Sequence, residues 1–128
     1  MGLKYRDNHQ NMEFIEQTKT NLAEHNIEMY CVERDFEKYG EMHYSEKQLM
    51  EYTFSEINKS DALLIDVSEK GIGIGIECGY AYANNKPIYI IVKKGIMISA
   101  TIKGIATKII EYEKIKDVAV LLSTEHIN

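Results

Sequence analysis

Ser60-Asp61-Ala62-Leu63-Leu64-Ile65-Asp66-Val67-Ser68, followed after four residues by Gly73-Ile74-Gly75-Ile76-Glu77-Cys78-Gly79-Tyr80-Ala81, has the form of a short strand, a glycine-rich turn and a helix of small residues. The apolar run Ala62 to Ile65, bounded by Ser60-Asp61 and by glycines, suits a strand covered on both faces. The turn spans Gly71 to Gly75, and the helix it opens reaches Asn84-Asn85. Downstream, Ile88-Tyr89-Ile90-Ile91-Val92 reads as the next buried strand and Ile105 to Ile110 as another. Ile115, Val118, Ala119 and Leu122 mark a final amphipathic helix. Upstream, Ser45 and Gln48 form a capping-box pattern ahead of a helix whose buried stripe is Met50, Phe54 and Ile57. The charged stretch 33–44, with Gly40, reads as a loop, and Ile27 to Val32 alternates as a strand does. Met12, Ile15, Thr18 and Leu22 share a helical face, with Asn8 or Asn11 as cap. Helices alternating with buried strands predict an α/β sandwich around a mostly parallel sheet, with ligands bound beyond the carboxyl ends of the strands.

The 128 residues fit one domain over 1–128. A hydrophobic fraction of 45% with 27% charged residues is that of a folded globular chain. Fifteen Lys plus Arg against 20 Asp plus Glu, net −5, argue against a nucleic-acid polymer or an anionic membrane as partner. A small anionic ligand stays compatible, because one pocket can oppose the global sign. Cys31 and Cys78 have no metal or CxxC spacing and read as buried thiols in a reducing compartment. With no signal peptide or membrane span legible, the expected location is cytoplasmic. His9, His25, His43 and His126 share no ligand spacing and read as surface residues, so no metal site is expected.

The chemistry concentrates at the glycine-rich turn. Glycines there let a ligand approach backbone N–H groups that favour anions. Glu77, expected in the first helical turn, can as a carboxylate attack an anomeric carbon and form a glycosyl-enzyme. Asp66, at the strand end, is expected to face the same crevice and orient a hydroxyl or carry a proton. The plainer readings are a dipole-compensating Glu77 and an Asp66 that closes the strand. Gly75, Gly79 and Ala83, four residues apart, read as close helix–sheet packing. A dinucleotide fingerprint fails at Cys78, where glycine or alanine is wanted. Tyr80 and Tyr82 point to different helix faces, and Lys93-Lys94 reads as a solvated pair.

Asp61, Asp66, Gly73-x-Gly75-x-Glu77-x-Gly79-Tyr80-Ala81 and Lys86-Pro87-Ile88 resemble the nucleoside 2-deoxyribosyltransferase superfamily, which includes the 2′-deoxynucleoside 5′-phosphate N-hydrolases. The resemblance covers roughly residues 45 to 122. It implies a flavodoxin-like three-layer sandwich, a homo-oligomer such as a homodimer, and cleavage or transfer at the N-glycosidic bond of a deoxynucleoside or its monophosphate. No cofactor is implied. Glu77 falls on the nucleophile, Gly71, Gly73 and Gly75 fall in the substrate-binding turn, and Ser68 is the substrate-binding hydroxyl that would compensate for Gly71. Ser99 resembles a serine lent to a neighbour's phosphate site; its plainer reading is a loop hydroxyl.

The chain departs from that pattern at Gly71, where an acid or serine is usual and Ser68 is the nearest hydroxyl, and at Thr53, where an acid is usual. The family's opening strand is expected to be missing or truncated, with at most Leu3-Lys4-Tyr5 as a remnant. These departures motivate a second reading, a non-catalytic nucleotide-binding or regulatory module; a third, with the same glutamate chemistry, is a relative that hydrolyses the nicotinamide bond of NAD.

Overall fold

A computed structural model describes residues 1–7 and 11–123. His9 and His126, and Asn8 as a cap, lie outside the described residues. Five strands, β1 (Gly2–Arg6), β2 (Glu28–Cys31), β3 (Ala62–Asp66), β4 (Ile88–Lys93) and β5 (Lys108–Tyr112), form one sheet in the order β2-β1-β3-β4-β5. Every pairing is parallel. The helices are α1 (Met12–Ala23), α2 (Glu46–Lys59), α3 (Ile72–Ala83), α4 (Ala100–Ile105) and α5 (Lys116–Ser123). Strand alternation divides the core in two. Leu3, Tyr5, Leu64 and Ile91 pack with Ile15 and Leu22 of α1 and Val118 and Leu122 of α5. Leu63, Ile65 and Ile90 pack with Ile57 of α2 and Ile74, Cys78 and Ala81 of α3, with Ile102 and Ile105 of α4 at the edge. This is the flavodoxin-like sandwich, whose strand order reverses between β1 and β3.

The expectation of a missing or truncated first strand is corrected by β1, five residues long and central in the sheet. It pairs with β3 from Leu3↔Ala62 to Arg6↔Ile65 and with β2 from Gly2↔Glu28 to Tyr5↔Cys31, so the sides of both neighbours that face it are paired. Its sequence hides it, because Lys4 and Arg6 alternate with Leu3 and Tyr5. Such a pattern predicts a solvated face, yet Lys4 is 1% exposed.

Other boundaries also move. The run Ile105 to Ile110 is not one strand: α4 ends at Ile105, capped at its start by Ser99, and β5 begins at Lys108. The stretch 33–44 holds a π-type turn, Val32–Phe36, and a 3-10 turn, Lys38–Gly40. Phe36 is stacked between Tyr44 and Tyr52, each centroid 3.9 Å away. Gly75, Gly79 and Ala83 lie on the exposed side of α3 and do not pack on the sheet. The Ser45–Gln48 capping box is present, and Asn11 caps α1. Among the described residues no helix is long and apolar enough to cross a membrane.

Both cysteines are free and buried. Burial pushes the Cys78 thiol up to about 12, with Glu77 beside it adding to the shift, and burial raises Cys31 as well. In the unfolded chain these thiols ionise near pH 8.5. The unfolded state therefore loses protons first as pH rises, and stability is lost from about pH 8.5 upward. Urea midpoints between pH 7 and 10.5 should fall, and fall less steeply in Cys78→Ala. A flat profile contradicts this.

Candidate functional site

The carboxyl ends of β1 and β3 carry two separate polar clusters, one on each face of the sheet. On the α3 face, Glu77 is fully buried and accepts from Lys4 Nζ at 2.5 Å and from Arg6 Nη1 at 2.8 Å. Lys4 and Arg6 point to that face because Leu3 and Tyr5 point to the other, as a period of two requires. Helix α3 starts at Ile72 with Gly71 as its extended N-cap, so Glu77 stands in the second turn. This corrects its expected place in the first turn, and two cations beside it replace the helix dipole as its main electrostatic partner. Gly73 and Gly75 likewise lie within the helix and not in the turn before it.

Gly73 has a particular reason to be glycine. A Cβ there would lie 2.4 Å from Nη2 of Arg6. The guanidinium therefore rests on the helix backbone one turn ahead of Glu77, toward the crevice.

On the α1/α5 face, Asp66 is fully buried and accepts from the Tyr112 hydroxyl at 2.6 Å and the Ser68 N–H at 2.9 Å. It shares strand parity with Ala62 and Leu64, whose side chains belong to the α1/α5 core. The expectation that Asp66 faces the same crevice as Glu77 is thus corrected: the two carboxylates sit on opposite faces of the sheet. Tyr5 donates to Asp7, also buried, at 2.8 Å. Burial above all, then the Asp7 carboxylate, holds the Tyr5 hydroxyl well above its ordinary range; burial and the bond to Asp66 do the same for Tyr112. The Ser68 hydroxyl accepts from the Lys93 N–H at 2.9 Å, joining the β3 loop to the end of β4.

A cavity of about 550 Å³ opens beside the head of α3. Gly71, Gly75 and Ser99 line it, with Lys70, Ile98 and Thr101; Glu77, Asp66 and Ser68 do not. The structure thus brings Gly71, Gly75 and Ser99 together, sets Gly73 against Arg6 and Glu77, and keeps Asp66 and Ser68 apart from both. Ser99 caps α4, its Oγ accepting from the Ile102 N–H at 3.4 Å. Sequence reasoning missed Lys4 and Arg6. The available signal was two cations at alternate positions between apolar residues, which only a buried counter-charge makes tolerable.

The fold defines a class first: a five-stranded doubly wound α/β protein with a charged cluster at its strand-order reversal. Solved structures share this fold. A 2-deoxyribosyltransferase from Bacillus psychrosaccharolyticus superposes with TM-score 0.70 and 14% identity, over 93% of this chain and 90% of that one. The CMP N-glycosidase BcmB of Clostridium botulinum gives 0.67 and 20%, over 95% and 98%. A conserved protein from Enterococcus faecalis V583 gives 0.72 and 11%, over 98% of both chains. No protein-family model and no curated protein matches this sequence.

Proposed function

We propose that this protein cleaves or transfers at the N-glycosidic bond of a 2′-deoxynucleoside or its 5′-monophosphate. The observation that carries the reading is Glu77, a carboxylate fixed one helical turn behind Gly73 and held by Lys4 and Arg6 of β1. Glu77 attacks C1′, the base departs with the bond electrons, and water or a second base displaces the glutamyl ester with net retention. The neighbouring cavity, about 550 Å³, is of the size that small ligands occupy. Two solved structures of the same fold carry the names of a deoxyribosyltransferase and a CMP N-glycosidase, which supports the reaction class. Asp66, bonded to Tyr112 and Ser68, is assigned a supporting role in place of a proton-bearing one.

The active unit in this reading is a cytoplasmic homo-oligomer. Met97 is 88% exposed and Ile96 is exposed beside it, on the segment that leads to Ser99 at the cavity rim. Pairing two copies there would cover these side chains and bring each Ser99 to the other's crevice.

A second reading is favoured by a specific observation. Glu77 is fully buried under two cations, as a structural counter-ion is, and a nucleotide-binding module without turnover fits that arrangement. One experiment separates the readings. The protein is incubated with deoxynucleosides, their monophosphates and NAD, and free base is measured alongside the mass in solution by light scattering. Base release from a deoxynucleoside or monophosphate is expected, from a species larger than a monomer. Calorimetric binding with no product supports the module, nicotinamide release alone overturns the deoxynucleoside assignment, and a strictly monomeric mass removes the shared role of Ser99.

A further inference from the structure

The three charges at the site differ in their freedom to move. Glu77 is fully buried and Lys4 is 1% exposed, whereas the Arg6 side chain is 23% exposed. Two cations face the one carboxylate of Glu77, each on its own oxygen. Glu37, on the turn after β2, is raised by burial and by Glu33, and the field of Arg6 partly opposes that shift. The guanidinium lies against Gly73, and the residues two before and two after it, Gly71 and Gly75, line the cavity. Arg6 is therefore the member of the trio most open to solvent, and the stretch of helix it rests on lies between two residues that line the cavity.

We propose that Arg6 is the specificity-determining residue of the site: it covers Glu77 in the free protein and exchanges that carboxylate for the phosphate monoester of an incoming nucleotide. The exchange is feasible because Lys4 stays behind. Glu77 keeps one buried counter-ion when Arg6 leaves, so no lone charge is stranded in the core. A guanidinium fork binds a phosphate monoester in the same bidentate manner as a carboxylate, so Arg6 trades one charge-assisted pair for another. A neutral nucleoside offers nothing in return and leaves the nucleophile covered. The proposal rests on the glycosidic reading for its catalytic consequence, and on binding alone for its physical basis.

The test has two arms. In the first, kcat and KM are compared for a deoxynucleoside and its 5′-monophosphate. The wild type should prefer the monophosphate, and Arg6→Gln should reduce that preference by about tenfold or more, the size of one charge-assisted pair. KM for the monophosphate should rise and kcat for the nucleoside should increase, with Arg6→Lys between the two proteins. Gly73→Ala, which crowds the guanidinium off its seat, should also raise nucleoside turnover. In the second arm, binding of inorganic phosphate alone is followed by calorimetry. Arg6→Gln should lose it, while Glu77→Gln, freed of the competing carboxylate, should bind about tenfold tighter than wild type. If no substrate is turned over, the glycosidic reading fails and the phosphate arm still decides the role of Arg6. Equal phosphate affinity in wild type and Arg6→Gln, or no phosphate binding by either wild type or Glu77→Gln, overturns the proposal.

Discussion

Replacing Glu77 with alanine is expected to cost about 3–5 kcal/mol of folding stability, the range found when one member of a buried ion pair is removed. Lys4, 1% exposed at the centre of the sheet, would keep a charge with its nearest carboxylate gone. Arg6 can turn toward water, but Lys4 cannot without distorting β1. Urea denaturation at pH 7 measures the loss. The double variant Lys4→Met with Glu77→Leu should regain most of it, because apolar residues of similar volume often replace a buried pair at little cost. Near-native stability in Glu77→Ala would mean that the trio does not tie β1 to α3. The result also governs how activity data are read. An inactive Glu77→Ala protein says little if it is unfolded, so Glu77→Gln, which keeps the shape and an acceptor oxygen, is the variant for turnover. On the glycosidic reading it should lose about 10³-fold or more in kcat, as enzymes without their nucleophile do.

The second large effect is expected at Asp66. Alanine there removes an acceptor from the buried Tyr112 hydroxyl and from the half-buried Ser68 N–H. Losing two bonds to a buried carboxylate should destabilise by about 2–4 kcal/mol. Tyr112→Phe removes one of them and should cost about 1–2 kcal/mol. The checks are urea midpoints for both variants, with base release measured at a temperature where each remains folded. Base release per folded molecule should stay within a few-fold of wild type. A stable Asp66→Ala protein that has lost all turnover would return Asp66 to the catalytic crevice and contradict its supporting role.

Much of this architecture was legible because burial on both faces leaves a continuous apolar signature. Ala62 to Ile65 and Ile88 to Val92 could be read as strands at once, and Ser45 with Gln48 announced α2. The first strand was not legible, since its two buried cations look like solvent-facing ones until Glu77, 73 positions after Lys4, is set beside them. Helix α4 was obscured for another reason: six residues ending in Ile105 run into the apolar stretch of β5, and only the Ser99 cap marks a helix start. The site was half visible. The glycines and Glu77 stood out by spacing, but spacing cannot say which face of a strand Asp66 occupies, and parity with Leu64 assigns it to the far side.

The buried Lys4–Glu77 pair also joins two steps of folding. Strand β1 precedes its partner β3, which begins at Ala62, and the carboxylate that neutralises Lys4 lies at position 77. Lys4 faces the side of the sheet that α3 covers, so seating that helix with no carboxylate at position 77 would bury an unmatched ammonium, a penalty of several kcal/mol. The same packing step thus removes the ammonium from water and delivers its counter-ion.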